Sequence, residues 1–514
     1  VLREVSGRTL DPGTALAVKG VSPRPTAYVG ARVTVARRGD VTRQLAQLRE
    51  VADSLGWELR CPDLDREAPE HRRRHGVVRV ELDVKDQHAT AAPDGWALLQ
   101  HARARFGTEA MRGVALDHVV TLRSLTPSPL HDPDPLHDPD PLHDPDPLHD
   151  PDPLHDPDGT PPAMSAPLAS YARPGSGGRQ PLAYVGPAPA RRPDADFVAH
   201  RRPVVAVLDT GCGPHPWLDR CVRRDVTLDG RPIGYDDPTT DPEHRPDQAG
   251  GLDGMLDEYS GHGTFICGLV HQACPDADIV AWRVVGSSGP IVESDLVDAL
   301  SDIAELARRH RDGEPGGHPV DVLSLSMGYY HETPDDVLFD PTMLDILALL
   351  GDCGTAVVCS AGNDATDRPM FPAAFAPWSD GQDPAGAGAG RVPVVSVGAL
   401  NPNGSDALFS NTGAWVRAWA PGASVMSTIP AFQGGLQAMA ATTVDGRLRE
   451  SADPDDFTSM FALWSGTSFS APLFAGRLAA RLVDQLPAAD AVDDRPAAVA
   501  RMWEAVAALT DLRP

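Results

Sequence analysis

An aspartate, a histidine and a serine, each inside a short run of unusual composition, are the residues of this chain best suited to chemistry. They are Asp209 in Val-Val-Ala-Val-Leu-Asp-Thr-Gly (204–211), His262 in Gly-His-Gly-Thr (261–264) and Ser468 in Gly-Thr-Ser-Phe-Ser-Ala-Pro (466–472). A serine hydroxyl is a poor nucleophile at neutral pH. It attacks a carbonyl when an imidazole takes its proton and a carboxylate holds that imidazole in the right tautomer. Together the three residue types fit acyl transfer through a covalent serine intermediate. Asp-Thr-Gly also suggests an aspartic peptidase, but that chemistry needs two carboxylates sharing a proton. The chain has no second Asp-Thr-Gly or Asp-Ser-Gly, so this reading fails.

Each run sits on an element able to position it. Residues 204–208 are continuously apolar, the pattern of a strand buried on both faces of a parallel sheet. Asp209 follows at its carboxyl end, where open α/β sheets carry their sites. Gly261 and Gly263 crowd no side chain around His262, and 264–270 reads as a buried helix opening behind it. Ser468 precedes a small-residue helix over 470–480, whose N-terminal dipole favours developing negative charge. Pro472 falls in the first turn, where a missing N–H costs little.

The order and the flanking residues resemble the subtilase family of serine peptidases. The match continues in Val-Val-Cys-Ser-Ala-Gly-Asn-Asp (357–364), Asp-Val-Leu-Ser-Leu-Ser-Met-Gly (321–328), 394–400 and Trp-Ala-Pro-Gly (419–422), covering about residues 200–485. The resemblance implies an α/β three-layer fold with a mostly parallel central sheet, and a serine endopeptidase that needs no cofactor. It implies Ser468 as nucleophile, His262 as proton shuttle, Asp209 as its orienter and Asn363 as side-chain oxyanion donor beside the Ser468 N–H. Ser326, Met327 and Gly328 correspond to the edge that pairs with substrate backbone.

Three departures stand out. Residues 269–273 run straight into 274–280, leaving no room for the calcium loop many secreted relatives carry there, so no bound metal is expected. The acidic stretch 236–247 lacks a ligand spacing and reads as a solvated loop. Tyr329-Tyr330 follow Gly328 where small residues are common, and 431–458 is a long insertion, a lid, an exosite or a plain surface excursion.

Net charge is −27, which disfavours nucleic acid and anionic membrane as partners, since phosphates reward basic surfaces. No apolar run approaches the roughly 18 residues of a membrane span, so no membrane insertion is expected. The expected partner is a peptide or protein substrate. Seven cysteines without a Cys-x-x-Cys pair read as reduced structural thiols, and Cys212, close to Asp209, is a point of sensitivity to thiol reagents. No basic-then-apolar leader opens the chain, so a cytoplasmic location is expected, or secretion if a leader precedes Val1.

Ahead of the catalytic half, strand patterns at 27–36, 57–60, 77–84 and 115–122 alternate with helical patterns at 40–55 and 93–106. The order βαββαβ is that of a small α+β ferredoxin-like domain. Subtilase pro-domains, which chaperone folding and then inhibit, commonly share it, so intramolecular inhibition is expected, with a separate recognition module as the alternative. Between the two halves Pro-Leu-His-Asp-Pro-Asp occurs in five identical copies over 129–158. Two prolines, two aspartates and one leucine per copy bury too little surface to offset ordering entropy. The expected layout is an N-terminal segment (1–26), a ferredoxin-like domain (27–125), a disordered linker (126–200) and a catalytic domain (201–514).

Overall fold

A computed structural model describes residues 5–64, 68–85, 91–122, 178–250, 252–287, 289–333, 341–386, 388–489 and 493–514, with Leu2, Ala89 and Ala491. The repeat tract lies outside the described residues.

The N-terminal module holds β1 (Gly7–Leu10), β2 (Thr26–Ala36), α1 (Val41–Leu55), β3 (Trp57–Arg60), α2 (Glu70–His75), β4 (Val77–Val84), α3 (Gly95–Phe106) and β5 (Val114–Val120). Its strands pair antiparallel in the order β5-β2-β4-β3, the arrangement that a βαββαβ chain gives when both helices cover one face. The α1 stripe explains that choice: Leu45, Leu48, Val51 and Ala52 bury one side of the helix against Val33, Val80, Leu98 and Leu99. Asp40 caps its start and Gly56, at φ 75°, ends it. Two elements escape the sequence rhythm. β1 lies inside the stretch read as a separate N-terminal segment and pairs with β2, and α2 is too short to show a period.

The catalytic half contains β6 (Gln180–Pro181), β7 (Val204–Asp209), β8 (Val222–Arg223), α4 (His262–Ala273), β9 (Asp278–Arg283), β10 (Ile291–Val292), α5 (Glu293–Arg311), β11 (Val322–Leu325), α6 (Pro341–Asp352), β12 (Ala356–Ser360), β13 (Val394–Leu400), β14 (Ala418–Pro421), β15 (Val425–Thr428), β16 (Ala441–Val444), β17 (Arg447–Glu450), β18 (Phe461–Trp464), α7 (Thr467–Leu482) and α8 (Arg495–Leu509). Seven strands form a parallel sheet in the order β14-β13-β12-β11-β7-β9-β8. In β7, Val204, Ala206 and Leu208 face a core built with α5 and α6, whereas Val205 and Val207 face the core of α4, α7 and α8. An unbroken apolar run is what a strand covered on both sides requires. The chain is thus a three-layer α/β fold preceded by a small α+β module.

The module's open sheet face rests on the catalytic half. β10 adds antiparallel to β5, and Asp117 of β5 accepts from the N–H and hydroxyl of Ser294 at 2.9 Å each. α5 has no side-chain cap of its own, so a residue of the other module satisfies an otherwise orphan helix-start donor. Arg79 reaches Asp295 (2.7 Å) and Asp298 (3.1 Å), and Arg72 and His71 hold Asp302 at 2.6 and 2.7 Å.

Packing also corrects the linker boundary. Disorder was expected up to residue 200, yet 178–200 lies on the catalytic half. β6 pairs with β18, and Arg191 and Arg192 bind Asp276, Asp278 and their neighbouring carbonyls. Arg179 is fully buried and donates to the carbonyls of Glu258, Ser260 and Asp257 at 3.0, 2.6 and 2.8 Å. A Pro- and Gly-rich composition hid these anchors, because arginines that satisfy buried carbonyls leave no periodic signature.

Candidate active site

Tight backbone approach brings Asp209 and His262 together. Gly211, at φ 99°, turns the chain at the end of β7, and α4 starts after Gly261 at φ 84°. A Cβ on Gly263 would stand 2.0 Å from the Gly211 carbonyl oxygen, so the helix start can lie on that turn only without a side chain there. His262 Nδ1 donates to Asp209 Oδ1 at 2.7 Å, and the Thr210 N–H donates to the same oxygen at 2.8 Å. With the proton on Nδ1, Nε2 is the basic nitrogen. Trp464 stands edge-on to the ring at 5.4 Å and Phe469 lies tilted against it at 5.3 Å, and Asp209 and His262 are both buried.

Ser468 lies in the first turn of α7. Its hydroxyl points to the Ser326 carbonyl at 3.3 Å, while the Ser326 hydroxyl donates to the Ser468 carbonyl at 2.9 Å. Among the described hydrogen bonds Ser468 Oγ is therefore paired with Ser326 and not with His262. Ser468 and His262 nonetheless share the walls of one cavity of about 20 Å³, with Leu122, Tyr259, Asn363 and Trp464. That is room for little more than one water molecule. Asn363 is oriented by its neighbours: its Oδ1 accepts from the Thr467 N–H at 2.8 Å and hydroxyl at 3.0 Å. An N–H can only donate, so this contact fixes the flip and leaves Nδ2 as the donor end of the amide.

Ser326, Met327 and Gly328 follow directly on β11. Gly328 exchanges two backbone hydrogen bonds with Thr121 of the N-terminal module, each 3.0 Å. The Met327 side chain is buried in the sheet core. Tyr329 and Tyr330, which stand where small residues are common, are each held by a carboxylate: Tyr329 Oη donates to Glu293 at 2.6 Å and Tyr330 Oη to Asp364 at 2.6 Å. The insertion packs at its base, where Phe432 and Ile429 abut Gly261, and ends in the β16–β17 hairpin, exposed at every position.

The acidic stretch 236–247 is largely exposed, as its composition suggested, but it turns one carboxylate inward. Asp237 and Asp241 close turns on Thr239 and Glu243 N–H groups, and Glu243 is buried, pushed up to about 8 by burial against hydrogen bonds from Thr210 and Thr264. No periodicity marks such a residue. Cys212 is buried too, its thiol lowered by a hydrogen bond with Cys267, with Arg224 adding to the shift. No disulfide joins the described cysteines.

One buried ionisable group joins the modules. His118 of β5 is held between Glu293 (2.5 Å, Nδ1) and Glu332 (2.7 Å, Nε2). Burial opposes its charge, but the two carboxylates outweigh burial and raise it to about 10. His118, His331 and Glu332 bring ligand-type atoms within 4.8 Å of one another. Both ring nitrogens of His118 are already committed to carboxylates, so the group reads as a charged clamp and not as a metal centre.

Residues 200–504 match the family model described as "Subtilase family". Among characterised proteins, the chain is 27% identical over 297 residues to the "Intracellular serine protease" of Paenibacillus polymyxa, covering 55% of this chain and 66% of that protein. It is 25% identical over 263 residues to the "Major intracellular serine protease" of Bacillus subtilis (strain 168), covering 48% and 66%. An "Extracellular basic protease" of Dichelobacter nodosus is 27% identical over 244 residues, covering 47% and 32%, so similar proteins are named for both sides of the cell envelope. A solved structure, "Crystal Structure of a Lanthipeptide Protease", aligns with a TM-score of 0.37 at 21% identity over 58% of this chain and 80% of that one. The chain spans about two thirds of the length of the first two relatives. No helix among the described residues is long and apolar enough to cross a membrane.

Proposed function

The chain belongs to the subtilase family, and on that premise we propose that it is a serine endopeptidase whose own N-terminal module covers the substrate edge. The observation that carries the catalytic reading is the 2.7 Å Asp209–His262 hydrogen bond beside a cavity that Ser468 and Asn363 share. In this reading Ser468 turns from Ser326 toward His262, which takes its proton as the hydroxyl attacks a peptide carbonyl. Asp209 stabilises the imidazolium that forms. The Asn363 amide and the Ser468 N–H, at the start of α7, receive the oxyanion. His262 then passes its proton to the leaving amine, and water completes the turnover by the same route.

The covering of the edge rests on Thr121 and Leu122. Thr121 occupies the backbone groups of Gly328 that an extended substrate would use, and Leu122 fills the cavity wall beside His262 and Ser468. Strand addition of this kind supplies affinity through main-chain hydrogen bonds. It supports an inhibitory role for the module over a separate recognition role. A reducing compartment is the location proposed, on the strength of cysteines that form no disulfide.

Reaction of the full chain with a fluorophosphonate, followed by peptide mass mapping, tests the proposal. Label on Ser468 is expected. Label elsewhere, or none from pH 6 to pH 10, would refute it.

A further inference from the structure

Glu243 lies behind the Asp209–His262 pair and belongs to no element of the sequence motifs. Its Oε1 accepts from Thr210 Oγ1 at 2.5 Å and from the Gly263 N–H at 3.2 Å, and its Oε2 accepts from Thr264 Oγ1 at 2.5 Å. One side chain thereby ties the residue after Asp209 to the two residues after His262. Thr210 Oγ1 also accepts from the Gly263 N–H at 2.7 Å, and its hydroxyl has a second acceptor, Asp209 Oδ1, at 3.2 Å. Thr264 Oγ1 in turn accepts from the Gly213 N–H at 2.7 Å.

A hydroxyl has one proton to give. When Glu243 is ionised, both threonine hydroxyls donate to it, and Asp209 Oδ1 keeps only the Thr210 N–H and His262 as donors. When Glu243 is protonated on Oε1, that O–H donates to Thr210 Oγ1. Thr210 must then send its own proton to the remaining acceptor, Asp209 Oδ1. A third donor on that oxygen weakens its hold on the His262 proton.

We infer that Glu243 is a positioning residue, which sets the strength of the Asp209–His262 hydrogen bond through the hydroxyl of Thr210. The inference rests on the proposed serine peptidase reading for its catalytic consequence, but the relay itself is a property of the buried atoms. Burial outweighs the hydrogen bonds from Thr210 and Thr264 and raises Glu243 into the range where it changes charge in ordinary working buffers. The ionisable groups facing it are Asp209 and His262 across Thr210 and Gly263, Cys212 and Cys267 on the strand and helix sides, Arg283 against Gly211, and Asp241 on its own loop.

The test uses the full chain and Glu243→Gln, which preserves shape and removes the titration. The first readout needs no activity: the downfield proton resonance of His262 Nδ1–H, followed by NMR from pH 6 to pH 10. In the native chain it is expected to move further downfield as Glu243 ionises, and in Glu243→Gln to lose that step. Thr210→Val, which removes only the connecting hydroxyl, is expected to lose it as well. The second readout is the rate of fluorophosphonate labelling against pH, where the native profile should carry one more ionisation than the Glu243→Gln profile. Identical resonance behaviour in folded native and Glu243→Gln chains would overturn the relay. An unlabelled native chain that still shows the step would instead overturn the peptidase reading and leave the relay standing.

Discussion

Thr121 and Gly328 exchange N–H and carbonyl in both directions at 3.0 Å, although they belong to different modules. Two more contacts lock the same junction: the Asp117 cap on Ser294 and the His118 clamp between Glu293 and Glu332. On the proposed reading the described molecule is a closed form, in which the backbone partner for a substrate is already taken. Opening it means withdrawing β5 and the buried charge of His118 together.

That charge gives docking a pH dependence with a definite sign. His118 rises from its ordinary 6.5 to about 10 in the docked state, so docking takes up a proton between those values. Its stabilisation is fully present below pH 6.5 and is lost as pH climbs toward 10, with the docking constant falling by up to about tenfold per pH unit. On the acid side Glu332, held well below its usual range by His331 and His118 against burial, keeps its charge. Fluorophosphonate labelling of the native chain, expressed relative to His118→Gln, is expected to rise steeply across pH 7–9. A flat ratio would contradict the clamp.

The oxyanion role proposed for Asn363 is separable from its structural role. Asn363→Asp keeps an acceptor for the Thr467 N–H and removes the donor. Turnover is expected to fall by about 10²- to 10³-fold, the range for loss of one oxyanion donor, with KM and melting temperature nearly unchanged. Steady-state kinetics on a peptide amide reads this directly. An equal loss in KM would point to substrate binding instead.

Arg179 is expected to matter for stability far more than its place beside the repeat tract suggests. Arg179→Met strands the carbonyls of Glu258, Asp257 and Ser260 and removes a cation from the face of Trp464 at 5.0 Å. Each buried orphan acceptor costs about 1–3 kcal/mol, so a loss of at least ~3 kcal/mol is expected in chemical denaturation. A change under 1 kcal/mol would show that the 256–260 loop relaxes to solvent.

Much of this was legible beforehand. The apolar run into Asp209 and the rhythm of 27–122 have strong periods because each element buries a defined face, and the structure follows them to within a few residues. Short pieces such as β1 and α2 have no period to read. The linker boundary failed because Arg179, Arg191 and Arg192 anchor a Pro-rich stretch through side-chain hydrogen bonds that composition does not encode. Glu243 is hidden for the opposite reason: an acidic run looks solvated, as most of 236–247 is, whether or not one of its carboxylates turns inward to two threonines.

The most direct measurement of the central claim follows the full chain and Ser468→Ala side by side, by intact mass and by fluorophosphonate labelling. With Thr121 paired to Gly328 and Leu122 lining the cavity beside Ser468, the native chain is expected to cut itself within a few residues after Leu122 and then to label on Ser468. Ser468→Ala loses only a hydroxyl at a helix start, so it is expected to stay folded, uncut and unlabelled. Cleavage at the same place in pure Ser468→Ala protein, or a native chain that neither cuts nor labels at any pH from 6 to 10, would contradict the account.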